Sequence, residues 1–241
     1  MTGADTKAFA SVVIVAAGRG ERYGPAAKIL ELVGGRPVLE WSIVAAIEAQ
    51  SVRDVIVVTG QRTEHAIAEL VHATQWTKPV AMVRGGDRRQ NSVAAGVEAV
   101  PSDREVVLIH DAARPLVESA LFDACARASR MFGAAIAAIP VTDTLKLAAD
   151  NVIDQTVSRS GLWAAQTPQG FRLDTIRAAI EHGRVSGLEF TDDASMVEAA
   201  GGAIHVVPGS RSNLKVTYPD DLELIDILLA KRTRQSKAGE K

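Results

Sequence analysis

The sequence is poor in the residues that mark several protein classes. It has one cysteine, Cys125, so no internal disulfide can form. Cys125 falls in an apolar helical pattern, Leu121 to Met131, and reads as a small buried hydrophobe rather than a nucleophile. A single thiol fits a reducing compartment. Aromatics make up only 4% of the chain, although hydrophobic residues make up 47%. The core must therefore be built from Val, Ile, Leu and Ala, as in parallel sheets flanked by helices. Neither sign of charge dominates, the net being -2, which argues against a nucleic-acid partner. No apolar run is long enough to span a bilayer. Met1 to Lys7 is polar and the apolar run after it is a short strand, so no signal peptide is read. A soluble, cytoplasmic protein is expected, without a membrane partner. The five histidines (His65, His72, His110, His182 and His205) show no metal-binding spacing.

What is present is an alternation of strands and helices. Ser11 to Ala16 is short, β-branched and closed by Gly18, as a buried strand should be. Pro37 opens a helix to about Gln50. Strands at Asp54 to Thr59, Val80 to Val83, Glu105 to His110 and Ala134 to Ile139 alternate with helices at Glu64 to Ala73, from a Ser92 cap to Val100, and at Ser119 to Met131. Helices at Asp174 to His182 and Asp192 to Ala200, a strand at Ala203 to Val207 and a helix from Pro219 to Leu229 complete the chain. Lys231 to Lys241 is polar and reads as a frayed end. The pattern predicts an α/β fold of Rossmann-like type, a mostly parallel twisted sheet with helices on both faces.

One segment breaks the rhythm. Val141 to Leu147 and Val152 to Ser158 alternate apolar and polar residues around an Asp150-Asn151 turn, which predicts a β-hairpin. A hairpin has too little core to be stable alone. The reading is one domain over residues 1–241 with an inserted arm at about 140–162 that dimerises the chain. The competing reading is an edge hairpin folded onto its own sheet.

Chemistry enters at Ala16-Ala17-Gly18-Arg19-Gly20-Glu21-Arg22. A strand running into a glycine-rich turn suits phosphate, because bare N–H groups approach the anion closely. A dinucleotide fingerprint fits poorly: the third glycine, Gly24, comes one residue late, and the second strand ends at Thr59-Gly60 without an acidic ribose partner. A Walker loop is absent. Arg22 and Lys28 follow closely enough to reach the same phosphates, which suits an enzyme that stabilises a leaving pyrophosphate. Taken singly, either cation is better explained as an ordinary surface residue; it is their placement after Gly18 and Gly20 that favours the functional reading. Asp111 ends a buried strand, at the edge where open α/β sheets bind ligands. There it can ligate Mg²⁺ while substrate phosphates supply the other oxygens, or it can serve as a turn residue. Arg114 stands within reach of another phosphate, and His110 reads as structural. The loop Gly85-Gly86-Asp87-Arg88-Arg89-Gln90-Asn91-Ser92 can read a base edge.

Together the residues carry a resemblance. Ala16-Ala17-Gly18-x-Gly20-x-Arg22, Lys28, Gly85-Gly86-Asp87 with Ser92, and His110-Asp111-Ala112-Ala113-Arg114-Pro115 match in order. So do Asp143-Thr144-x-Lys146, Arg159 with Leu162-Trp163, Gln166-Thr167-Pro168-Gln169, Thr191-Asp192 and Asn213-x-Lys215-Val216-Thr217. Over roughly residues 11 to 230 the chain resembles the 2-C-methyl-D-erythritol 4-phosphate cytidylyltransferases of non-mevalonate isoprenoid biosynthesis. The order of nine motifs is far more specific than any one of them. Two places depart from the pattern: Ile29, where a polar residue is usual after the lysine, and the stretch Tyr23 to Ala27.

The resemblance implies transfer of a cytidylyl group from CTP to a polyol phosphate, releasing pyrophosphate, with Mg²⁺ or another divalent cation on Asp111. It implies catalytic roles for Arg22, Lys28, Arg159 and Lys215. Ala16, Ala17, Gly18, Gly20, Gly86, Asp87 and Ser92 would bind nucleotide. Asp111, Arg114, Thr144, Arg159, Thr167, Thr191 and Lys215 would bind the acceptor, with Thr144 and Arg159 contributed by the other subunit of a homodimer. The nearest alternative is a ribitol-5-phosphate cytidylyltransferase, against which the Ala112-Ala113 pair counts. A sugar-1-phosphate nucleotidyltransferase is usually longer. A silent nucleotide-binding module gives no reason for Arg22, Lys28, Asp111 and Lys215 to occur together, and a dehydrogenase is disfavoured by the late glycine.

Overall fold

The computed structural model describes residues 8–18, 23 and 27–239. Gly20 and Arg22, both assigned roles from the sequence, lie outside the described residues, as does most of the stretch that departs from the family pattern.

The chain opens with β1 (Ala10–Ala16) and a short ribbon, β2 (Leu32–Val33) and β3 (Arg36–Pro37). It continues through α1 (Val38–Glu48), β4 (Val52–Thr59), α2 (Glu64–Ala73), β5 (Val80–Arg84), α3 (Arg89–Glu98), β6 (Val106–Asp111), α4 (Ser119–Phe132) and β7 (Ala134–Pro140). After the hairpin β8 (Leu145–Ala149) and β9 (Val152–Val157) come β10 (Trp163–Arg172), α5 (Leu173–Ser186), α6 (Asp193–Ala199), β11 (His205–Pro208) and α7 (Asp221–Gly239). Seven strands form one sheet in the order β11-β7-β10-β6-β1-β4-β5. Every neighbouring pair is parallel except the two involving β10, which runs against both β6 and β7.

Both faces of the sheet are covered, which is why its strands read as unbroken apolar runs. Val12 and Ile14 of β1 pack with α1, α2, α4 and α7. Val13, pointing the other way, packs with α3, α5 and α6. Gly96 lets α3 lie close to the sheet: a Cβ there would stand 2.4 Å from Val13 Cγ1 and 2.8 Å from Val58 Cγ2. Cys125 is fully buried in α4, and burial pushes its thiol up to about 12. Since the thiolate is the reactive form, a thiol reagent at neutral pH should leave the native protein unlabelled and modify one group after denaturation. Rapid labelling of native protein would contradict this packing.

The hairpin forms as expected, with Asp150 and Asn151 at φ 48° and 63°, the double positive φ of a tight two-residue turn. Its pairing begins at Leu145 rather than Val141. The arm grows from adjacent strands, since Pro140 of β7 pairs with Trp163 of β10.

The structure departs from the sequence reading in three places. Trp163–Arg172, to which the sequence reading assigns no element, is an inner strand. Its Pro168, Gly170 and glutamines oppose strand propensity. They are accommodated by a register shift between Ala165 and Gln169 and by tertiary hydrogen bonds. Helix α3 starts at Arg89 after an Arg88 cap, so Ser92 is not a cap; its hydroxyl donates to carbonyls of Gly86 and Arg88, each at 3.2 Å. Helix α7 continues to Gly239, past the expected fraying at Lys231.

Candidate active site

The topology dictates where a ligand can sit. From β1 the chain moves outward through β4 and β5, then returns to β6 on the other side of β1. Connections diverge at the carboxyl ends of β1 and β6 and leave a crevice there. Val15 of β1 pairs with Asp111 of β6, so the glycine loop and the acidic turn leave the sheet side by side. A cleft of about 520 Å³ opens at this point.

Nine of the residues singled out in the sequence line it: Ala16, Ala17, Gly18, Lys28, Gly86, Asp87, Ser92, Asp111 and Lys215. They come from five separate stretches of chain. The Lys28 ammonium donates to the Val216 carbonyl at 2.8 Å, tying the first loop to the segment that carries Lys215. Lys215 Nζ lies 2.6 Å from Asp111 Oδ2. Arg89 Nη2 lies 3.5 Å from Asp111 Oδ1. Burial alone would raise the Asp111 carboxyl, but the Lys215 ammonium, and after it Arg89, holds it well below the usual carboxylate range. Asp111 therefore stays ionised.

The glycines of the next loop are sterically required. A Cβ on Gly85 would meet Ser92 Oγ at 2.6 Å and Ala17 Cβ at 2.9 Å; one on Gly86 would meet Asn91 Cβ at 2.6 Å. Overpacking of this kind costs about 1–3 kcal/mol. Gly85→Ala is expected to raise the KM for the nucleotide about tenfold by pushing Ser92 and Ala17 apart. An unchanged KM in the folded variant would show that this wall does not contact the nucleotide.

Other predicted residues lie elsewhere. Thr167 is buried behind the cleft, accepting from the Asp111 N–H at 3.1 Å and meeting His110 Nδ1 at 3.0 Å. His110 is fully buried, and burial pushes its imidazole down to about 3, as suits a neutral structural histidine. Arg114 does not line the cleft; its Nη1 donates to the Asn213 carbonyl at 2.8 Å. Thr191 is exposed, one residue before the Asp192 cap of α6. Thr144 and Arg159 are exposed on the arm and do not line the cleft of their own chain; Arg159 donates to the Thr142 carbonyl.

The reading of the sequence missed Arg89, Asp193 and Gln169 as site-shaping groups. Arg89 lines the cleft and makes a two-pronged ion pair with Asp193. A second arginine beside Arg88 was visible, but which one turns inward depends on where α3 begins.

The family model for IspD, 2-C-methyl-D-erythritol 4-phosphate cytidylyltransferase, matches residues 10–231. A 2-C-methyl-D-erythritol 4-phosphate cytidylyltransferase of a Synechocystis strain is 42% identical over 228 residues, covering 93% of this chain and 99% of the relative. A Synechococcus protein of the same description is 46% identical over 224 residues, covering 92% and 99%. Among solved structures, the 4-diphosphocytidyl-2C-methyl-D-erythritol synthase of Anaerococcus prevotii superposes with a TM-score of 0.81 at 30% identity, covering 94% of this chain and 97% of its own. The Thermus thermophilus cytidylyltransferase gives 0.74 at 32% identity, covering 90% and 98%. With nearly its whole length matched in sequence and in fold, the chain belongs to the 2-C-methyl-D-erythritol 4-phosphate cytidylyltransferase family.

Proposed function

We propose that the protein transfers the cytidylyl group of CTP to 2-C-methyl-D-erythritol 4-phosphate, giving 4-diphosphocytidyl-2-C-methyl-D-erythritol and pyrophosphate in isoprenoid precursor biosynthesis. One observation carries the reading: Lys28, Asp111 and Lys215 converge on one cleft walled by the Gly86, Asp87 and Ser92 loop. Two cations and a carboxylate beside a base-sized wall suit a nucleoside triphosphate better than a nicotinamide dinucleotide.

An oxygen of the acceptor phosphate attacks the α-phosphorus of CTP in line, and the bond to the bridging oxygen of pyrophosphate breaks. The acceptor is already an anion, so no side chain need remove a proton. Catalysis then rests on positioning and on stabilising developing charge. Lys28 and Lys215 place positive charge in the cleft, and the resemblance assigns Arg22 the same role. Gly18, Gly20, Ala16 and Ala17 cradle the nucleotide, and Gly86, Asp87 and Ser92 read cytosine. Arg114 and Thr191 would hold the acceptor, while Thr167, buried beneath the cleft, supports Asp111 through its backbone N–H rather than touching the acceptor.

Asp111 would hold a divalent cation such as Mg²⁺ in exchange for part of its pairing with Lys215 and Arg89. Such ions are commonly held by one or two carboxylates together with substrate phosphates, and Asp111 is ionised at the cleft edge. Among the described residues no cluster of three acidic, histidine or cysteine side chains offers an all-protein cage. The ion would neutralise phosphate charge and orient the triphosphate.

Residues 1–241 would act as one nucleotidyltransferase domain whose arm, about 140–162, pairs two copies. Every residue of β9 is exposed, with Val152 at 69% and Ile153 at 61%. Apolar side chains so placed call for cover, and Thr144 and Arg159 on the same arm would then reach the partner's cleft. Among the described residues no helix is long and apolar enough to cross a membrane; a cytoplasmic location is consistent with the bacterial relatives.

The test is pyrophosphate release from CTP and Mg²⁺ with methylerythritol phosphate, ribitol 5-phosphate or a sugar 1-phosphate. Turnover with the first alone is expected. Preference for ribitol 5-phosphate would move the protein to the neighbouring specificity.

A further inference from the structure

Arg89, the first residue of α3, is forked on Asp193: Nη1 lies 2.8 Å from Oδ1 and Nη2 2.7 Å from Oδ2. The Asp193 side chain is 0% exposed, whereas Arg89 keeps 31% of its surface and faces the cleft. A buried ion pair costs about as much in desolvation as it returns, and an apolar pair often serves stability as well. Its presence here is better explained by geometry. The buried carboxylate fixes the direction of the guanidinium, whose Nη2 also reaches Asp111 Oδ1 at 3.5 Å.

The residues on either side of Arg89 grip the same region. Arg88 pairs with Glu189 at 2.6 Å. Gln90 donates to the Leu188 carbonyl and accepts from the Phe190 N–H, both at 3.3 Å. From the opposite side, Gln169 Oε1 accepts from the N–H groups of Asp193 and Ala194 at 3.1 and 3.0 Å, and its Nε2 donates to Asp192 Oδ2 at 2.9 Å. The start of α6, with Thr191 just before it, is thus clamped between β10 and the first turn of α3.

We infer that Arg89 is a positioning residue for the transfer: forked on buried Asp193, it fixes the segment 188–193 that bears Thr191 relative to Asp111 and the nucleotide loop 85–92. The inference rests on the cytidylyl-transfer reading. In-line attack requires the acceptor phosphate and the α-phosphorus to be held at a set separation, and a misplacement of about 1 Å can cost about 100-fold in rate. Lysine could neutralise Asp193, but it lacks the fork that reaches Asp111 at the same time.

The test uses the full chain with Arg89→Lys, Asp193→Asn, the double variant and Gln90→Ala. Folding is checked by thermal unfolding, and steady-state kinetics are measured with CTP and methylerythritol phosphate. In each buried single variant kcat should fall about tenfold and the acceptor KM rise about tenfold, with the KM for CTP within about threefold. The double variant should be no worse than the more severe single, because both break one link. Gln90→Ala, which removes only the bonds to Leu188 and Phe190, should raise the acceptor KM about threefold. A lowered Tm with kcat and acceptor KM unchanged in folded variants would assign the pair to stability alone and overturn the inference. If the buried variants do not fold, an unchanged acceptor KM in Gln90→Ala overturns it. A wild-type protein inactive with these substrates overturns the functional reading itself, whereas an active wild type with unaffected variants overturns only the role of Arg89.

Discussion

Lys28→Ala is expected to lower kcat about 100-fold or more while leaving the fold intact. Lys28 lines the cleft, and its ammonium is set by the Val216 carbonyl at 2.8 Å. That bond ties its own loop to the segment that carries Lys215. Cleaving that triphosphate concentrates charge on the departing pyrophosphate, and a donor fixed in advance stabilises it without reorganising. A 100-fold loss corresponds to about 2.7 kcal/mol of transition-state stabilisation. Binding of CTP should weaken less than turnover, because the charge that Lys28 meets grows during the reaction. Arg22→Ala should behave in the same way. Near-wild-type kcat in both variants would remove the glycine loop from the chemistry. A KM effect without a kcat effect would make Lys28 a ground-state contact.

The second large effect is one of complementation. Mixed subunits of Lys28→Ala and Arg159→Ala, each nearly inactive alone, should regain activity when co-assembled. Arg159 and Thr144 do not line their own cleft, and the arm that bears them exposes Leu147, Val152 and Ile153. In a symmetric dimer with exchanged arms, each heterodimer has one intact site, made from the Lys28 of one chain and the Arg159 of the other. Random mixing then restores about one quarter of wild-type activity, since about half of the dimers are mixed. No recovery in confirmed heterodimers would mean that the arm serves its own chain. Arg159→Lys should also be severe, because the planar fork suits a phosphate and a point charge does not replace it.

Both predictions rest on residues visible in the sequence, and the reason is local. Ser11 to Ala16 is apolar throughout because both faces of the strand are covered, and Gly18 marks where it ends. Asp111 stands at the end of a similar run. Parallel strands bring such ends to one edge of the sheet, so the meeting of the β1 loop with Asp111 could be expected before any contact was known, whereas Lys215 entered only through the family resemblance. The hairpin was equally legible from its alternation and its Asp150-Asn151 turn.

The misses arise from long-range satisfaction of polar groups. β10 contains Gln166, Thr167, Pro168, Gln169 and Gly170, a composition that by propensity is a loop. It lies inside the sheet because Gln166 bonds with Ser210, Thr167 with Asp111 and His110, and Gln169 with the start of α6. Nothing within ten residues of β10 announces those partners. The start of α3 three residues before Ser92 has a related cause: Arg89 is drawn inward by a carboxylate 104 residues away.

By itself the sequence determined the α/β class, the glycine turn that ends β1, the carboxylate at the strand edge and the presence of an arm. Each follows from periodicity, turn chemistry or strand termination within one short window. Only the tertiary structure decided that an antiparallel strand separates β6 from β7, that Thr167 sits beneath the cleft rather than in it, and that Arg89 and Asp193 join the starts of α3 and α6. Those outcomes depend on which distant polar group each buried polar group meets, and burial makes that pairing obligatory without encoding it in neighbouring residues.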